Sequence, residues 1–164
     1  MLLETIKNDN LEARKASFNP ELSDEARAKE SMRAKKLNTL FSEAKMVGKN
    51  KNRETTEEET VDTVRKFLNG VNDSLTHLSA RADDASMNTM QELLEEKAML
   101  EAYLPKEPTE AEVEAVARQA MAGLGDSVKG PKAMGPVMAA LKAHFGIALN
   151  RQQASAVAQR VVAG

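Results

Sequence analysis

Residues 61–78 read Val-Asp-Thr-Val-Arg-Lys-Phe-Leu-Asn-Gly-Val-Asn-Asp-Ser-Leu-Thr-His-Leu, and their apolar positions decide the fold class. Val61, Val64, Leu68, Val71, Leu75 and Leu78 step by 3, 4, 3, 4, 3. A strand alternates every second residue, whereas this spacing keeps one narrow stripe on one side of a helix. Thr56 and Glu59 stand just ahead of the stripe as a capping box, each side chain able to satisfy a backbone N–H of the first turn. The stripe predicts antiparallel, coiled-coil-like packing against the helix before it.

Working toward the N-terminus, Leu37, Leu40, Phe41, Ala44 and Val47 repeat at helical spacing, with Gly48 as the stop and Ser23 as the N-cap. Asp24 and Glu25 sit where a helix dipole favours acids. Asn19-Pro20 breaks the chain ahead of that helix. A first helix over 2–17 carries Leu3, Ile6, Ala13 and Ala16, with Asn10 interrupting its apolar face. Toward the C-terminus, a helix after Asp83-Asp84 carries Met87, Met90, Leu93, Leu94, Leu100 and Leu104, and Pro105 ends it.

Two prolines within Pro105-Lys106-Glu107-Pro108 mark the domain boundary. Beyond it Thr109 and Glu112 form a second capping box for a helix with Val113, Val116, Ala120, Met121 and Leu124, stopped by Gly123 and Gly125. Another helix holds Met134, Val137, Met138, Leu141 and Phe145, closed by Gly146, with Pro136 obscuring its start. Asn150 with Gln153 resembles a third box, opening a helix with Ala154, Val157 and Val161. The expectation is an all-α protein: a helical bundle or hairpin of about four helices over 1–104, then a small three-helix domain over 105–164.

Composition narrows the function classes. Apolar residues at 41% and charged residues at 29% fit a packed globular chain, not a disordered one. The longest uncharged run, Ala133–Leu141, is too short for a membrane span of about 20 residues. Residues 1–4 lack the basic and apolar regions of a secretory leader, and there is no Cys for disulfides or thiolate ligands. A cytoplasmic location follows as the expectation, with no metal, cofactor or membrane partner.

Catalytic constellations are missing from the sequence. His77 reads as a helix-surface residue and His144 as a helix-end residue that could add partial positive charge. Gly123-Leu124-Gly125 follows a helix rather than a strand, so it is not a dinucleotide loop. Asp83-Asp84 and Glu95-Glu96 are adjacent pairs whose side chains diverge on a helix. The chain is therefore expected not to be an enzyme on its own.

Charge is segregated instead. From Ser127 to Gly164 no Asp or Glu occurs, against five cations, Lys129, Lys132, Lys142, Arg151 and Arg160. These are the candidate phosphate contacts for nucleic acid. Arg33–Arg53 is also basic, and within it Lys45, Lys49, Lys51 and Arg53 form a secondary candidate patch. Met134, Met138 and Leu141 could line an adaptable partner groove, although such a stripe is more often core.

Three segments in order carry a family resemblance: Leu100-Glu101-Ala102-Tyr103-Leu104-Pro105-Lys106, Thr109-Glu110-Ala111-Glu112, and Met134-Gly135-Pro136-Val137-Met138-Ala139-Ala140-Leu141. Leu37–Leu68 matches the middle of the same pattern. Nearly the whole chain thus resembles the YqeY family and the tail domain of the B subunit of tRNA-dependent amidotransferases. The resemblance implies a small helical module that helps hold tRNA, while amide transfer, a carbon–nitrogen ligase chemistry using glutamine, occurs elsewhere. One departure stands out: where members often have a Lys-Gly-Arg-Ala-Asp-Gly-like turn, this chain has His144-Phe145-Gly146-Ile147-Ala148-Leu149-Asn150. Three readings follow: a non-catalytic module for tRNA or other structured RNA, a protein–protein adaptor without RNA binding, and an accessory subunit of an amidotransferase complex.

Overall fold

The computed structural model describes residues 1–79, 84–124 and 130–163, and among them the chain forms seven α-helices and no strand. It divides into two compact units, Met1–Leu104 and Pro105–Gly164. No described helix is long and apolar enough to cross a membrane.

The first unit contains α1 (Leu2–Ala16), α2 (Asp24–Lys49), α3 (Glu57–Ser79) and α4 (Asp84–Glu101). Ser23 caps α2 by accepting a hydrogen bond from the Ala26 N–H at 3.2 Å. The Thr56–Glu59 box opens α3 with both reciprocal bonds: Thr56 N–H to Glu59 at 3.0 Å, and Glu59 N–H to the Thr56 hydroxyl at 3.3 Å. The α3 stripe turns inward. Val61, Val64 and Val71 are buried, and Leu68 and Leu75 pack against a core of Ile6, Leu37, Leu40 and Leu100. α3 does pack on α2, but more extensively on α4, while α2 takes α1 as its main partner. The antiparallel pairing expected of the stripe is thus shared between two neighbours.

Four features differ from the sequence expectation, one of them in the second unit, where the helix of Val113 runs through Gly123 to Leu124. α2 runs through Gly48 to Lys49, with Asn50 as its cap in ordinary helical geometry, so Gly48 does not stop it. Asn10 does not break the α1 face; it is buried, and its amide donates to the Ala34 carbonyl of α2 at 2.6 Å. α4 ends at Glu101, ahead of a turn through Ala102–Leu104, so the helix stops before Pro105. Asp83 and Gly125 lie outside the described residues.

The second unit contains α5 (Glu110–Leu124), a 3₁₀ turn (Gly130–Ala133), α6 (Met134–Phe145), a second 3₁₀ turn (Gly146–Ala148) and α7 (Arg151–Ala163). Thr109 and Glu112 close the expected box, at 2.7 and 3.3 Å. Pro136 falls in the first turn of α6, where its missing N–H would have no intrahelical partner anyway. Gly146 ends α6 at φ 56°, a backbone region that favours glycine. The third box is only half made. Asn150 Oδ1 accepts from the Gln152 and Gln153 N–H groups, while its amide nitrogen turns to Glu107 at 3.3 Å. Val113, Ala117, Val137, Leu141, Leu149, Ala154, Val157 and Ala158 form the core, whose alanines let three short helices approach closely.

Candidate nucleic-acid interface

The acid-free segment supplies most of the cations of the second unit, and helix geometry distributes them. Lys132 is exposed on the 3₁₀ turn ahead of α6, and Lys142 is exposed in the last turn of α6. Arg151 is exposed at the first position of α7, and Arg160 is exposed in its last turn. Ten helical residues rise about 15 Å, so Lys132 and Lys142 stand at opposite ends of α6. The reversal at Gly146 brings Lys142 and Arg151 to the same end of the unit. Arg151 and Arg160 are nine residues apart, about 180° of helical rotation, and so leave opposite sides of α7. Lys129 lies outside the described residues.

Arg160 is also committed within the unit. Its guanidinium donates to the Glu110 carboxylate at the start of α5, and that bond holds it above its ordinary pKa. The four described cations therefore do not form one stripe. Two positions flank the α6–α7 reversal, one stands at the entry to α6, and one is engaged by an acid that sequence proximity did not reveal. His144 is exposed beside that reversal, its ring edge-on to Phe145 at 4.6 Å.

Met134, Met138 and Leu141 face the core of the second unit. Leu141 is fully buried, and both methionines pack against the core shared by α5, α6 and α7. The reason is their helical face: Val137 and Leu141 point inward, and residues three or four positions away follow them. An open depression of about 420 Å³ lies on another face, lined by Val116, Gln119, Ala120, Ala140, Ala143 and His144. It went unseen in the sequence because alanines carry little hydropathy signal.

In the first unit, the secondary patch separates into two pairs. Lys51 and Arg53 clamp one carboxylate, Glu59, at 2.5 Å for the ammonium and at 2.6 and 2.9 Å for the guanidinium. With the Thr56 N–H added, these donors hold the Glu59 carboxyl well below the usual carboxylate range. Lys45 and Lys49 are exposed one turn apart at the end of α2, and Lys45 lies over the Phe41 ring at 5.8 Å. His77 is exposed on α3. Among the described residues no group of three or more His, Asp or Glu side chains is placed to hold a metal ion.

The family model described as Yqey-like protein matches residues 15–162. None of the curated proteins compared matches the chain.

Proposed function

The chain belongs to the YqeY-like family, and on that premise we propose that it is a docking module for structured RNA, tRNA first, that makes and breaks no bonds of its own. One observation supports the reading: Gly130–Ala163 contains no carboxylate and presents four exposed cations, of which Arg160 is engaged by Glu110. Folded RNA is recognised largely through its backbone and shape, so separated lysines and arginines serve where a base-reading helix is not required. The cations at the two ends of α6 and α7 suit a ligand whose charge is spread over many ångströms better than a single small anion. The family's usual basic turn is replaced by His144–Asn150, so Lys142 and Arg151 take over its position beside the reversal.

Titrating tRNA at several salt concentrations tests this. Each phosphate contact contributes roughly 0.7–0.9 to the slope of log affinity against log salt. Lys132→Gln/Lys142→Gln/Arg151→Gln should lower that slope by roughly 2–3. Binding that is absent, or unchanged by salt, defeats the reading.

A protein partner is the second reading, favoured by the apolar depression along Val116, Ala120, Ala140 and Ala143. A helix laid there would be read by small residues at close approach. Capture from nuclease-treated lysate separates the two readings: a defined protein retained without RNA, and lost on Ala140→Glu, favours the adaptor.

A further inference from the structure

The first unit contains a cleft of about 640 Å³ enclosed by the start of α1, the end of α2 and the loop before α3. That volume lies within the usual range for small-molecule or single-residue ligands. Its walls are fixed by hydrogen bonds. The Leu2 N–H donates to both Glu57 carboxylate oxygens at 3.1 and 3.0 Å, tying α1 to the start of α3. The Thr55 hydroxyl donates to the Ala44 carbonyl at 2.9 Å and accepts from the Gly48 N–H at 3.2 Å, tying the loop to α2.

The lining joins apolar and cationic groups. Leu3 and Phe41 supply the apolar part. Of the four lining cations, Lys7 pairs with Glu4 at 3.2 Å and Arg53 with Glu59. Lys45 and Lys49 remain, and among the described residues neither pairs with a carboxylate, although the Glu54 carboxylate lies on the same lining. Their one-turn spacing puts both ammonium groups on one side of α2. Two ammonium groups beside an apolar cleft match a ligand with a charged end and a planar, apolar body.

We propose that this cleft takes one unpaired nucleotide of the docked RNA, its phosphate between Lys45 and Lys49 and its base against Leu3 and Phe41. The proposal rests on the RNA-docking reading and gives it a foothold in the first unit. A nucleotide is favoured over a bare anion because the lining is apolar as well as cationic, so that base–apolar contact adds to phosphate contact.

The test uses the full chain with two probes of equal charge, a pentauridylate and the same pentamer without bases, beside tRNA. Lys45→Gln/Lys49→Gln removes two contacts and should lower the pentauridylate salt slope by roughly 1.4, about 25-fold in affinity at 0.1 M relative to 1 M salt. Both lysines are exposed, so unchanged thermal unfolding shows that the fold is intact. Pentauridylate should bind more tightly than the abasic pentamer, and Phe41→Leu should narrow that difference. If tRNA affinity drops for the Lys132/Lys142/Arg151 variant but not for the Lys45/Lys49 variant, the foothold is overturned and the docking reading stands. Equal binding of the two pentamers overturns the nucleotide assignment. If wild-type chain binds neither tRNA nor pentauridylate, both fall together.

Discussion

Gly48 shows how a single position can oppose its own helix propensity. Inside a helix, glycine costs about 1 kcal/mol relative to alanine, so Gly48→Ala would ordinarily stabilise α2. Here a Cβ would meet the Thr55 nitrogen at 2.4 Å, the Glu54 carbonyl carbon at 2.6 Å and the Arg53 oxygen at 2.7 Å. All three are backbone atoms, so the loop itself must move and its Thr55 hydrogen bonds loosen. Overpacking of this kind costs about 1–3 kcal/mol. The clash outweighs the propensity gain, and Gly48→Ala is expected to lower the urea midpoint. Glu59 lies in the adjoining turn. Its folded pKa is depressed by Arg53, Lys51 and Thr56, so its contribution is present above the ordinary carboxylate pKa and lost as pH falls through the acid range below it. Glu59→Gln should flatten the acid limb of the stability–pH curve; an unchanged limb would show that the clamp contributes nothing. Tyr103 shows the opposite sign. Burial and its hydrogen bond to Asp9 raise the phenol pKa, so that contribution is full below the ordinary tyrosine pKa and fades as pH rises into the strongly alkaline range. Tyr103→Phe should cost about 0.5–1 kcal/mol, the lower end reflecting a group that is only partly buried.

Among the elements, α4 differs from the helices it joins. Of its described positions only Ser86 and Leu100 are buried, while Met87 and Leu94 are 65% and 47% exposed. Its remaining ties to α2 include ion pairs, Lys36–Glu96 at 2.8 Å and Lys29–Glu95 at 3.7 Å. Lys29–Glu95 is exposed, where an ion pair contributes about 0–1 kcal/mol, and the one half-buried pair, Lys36–Glu96, does not replace a buried apolar face. Amide hydrogens of α4 should therefore exchange sooner than those of α2 and α3. Protection in α4 equal to that in α3 would contradict this. In the second unit, α5 depends on its start: Thr109→Ala removes the cap and should cost about 1 kcal/mol, measured as a loss of denaturation midpoint. α6 tolerates Pro136 only because the proline falls within its first turn.

At the scale of the molecule, each unit has its own apolar cluster, one around Leu37, Leu40 and Val64, the other around Val137, Leu141 and Val157. A unit of about 60 residues buries only about 60% of its unfolded surface and is marginal by that measure. Leu141 is fully enclosed, and truncating it to alanine costs about 2–5 kcal/mol, comparable with the whole stability such a unit can have. Leu141→Ala should abolish exchange protection over Pro105–Gly164 while Met1–Leu104 stays protected. Joint loss of protection in both units would show that they fold as one.

Local chemistry alone determined the helices of this protein and several of their starts. The 3–4 spacing of Val61–Leu78, the Ser23 cap and the boxes at Thr56 and Thr109 act over a few residues, and the tertiary contacts of the fold agree with them. Gly48, Asn10 and the amide nitrogen of Asn150 escape a local reading for the opposite reason: each acts on backbone or side chains beyond its own turn, at Thr55, Ala34 and Glu107. The candidate site divides in the same way. The absence of acids after Ser127 is visible in the letters, but the engagement of Arg160 by Glu110 and the packing of Met134 and Met138 against the core arise only when helices separate in sequence pack. A charge is set by its residue; its availability to a ligand is set by whatever the fold brings beside it.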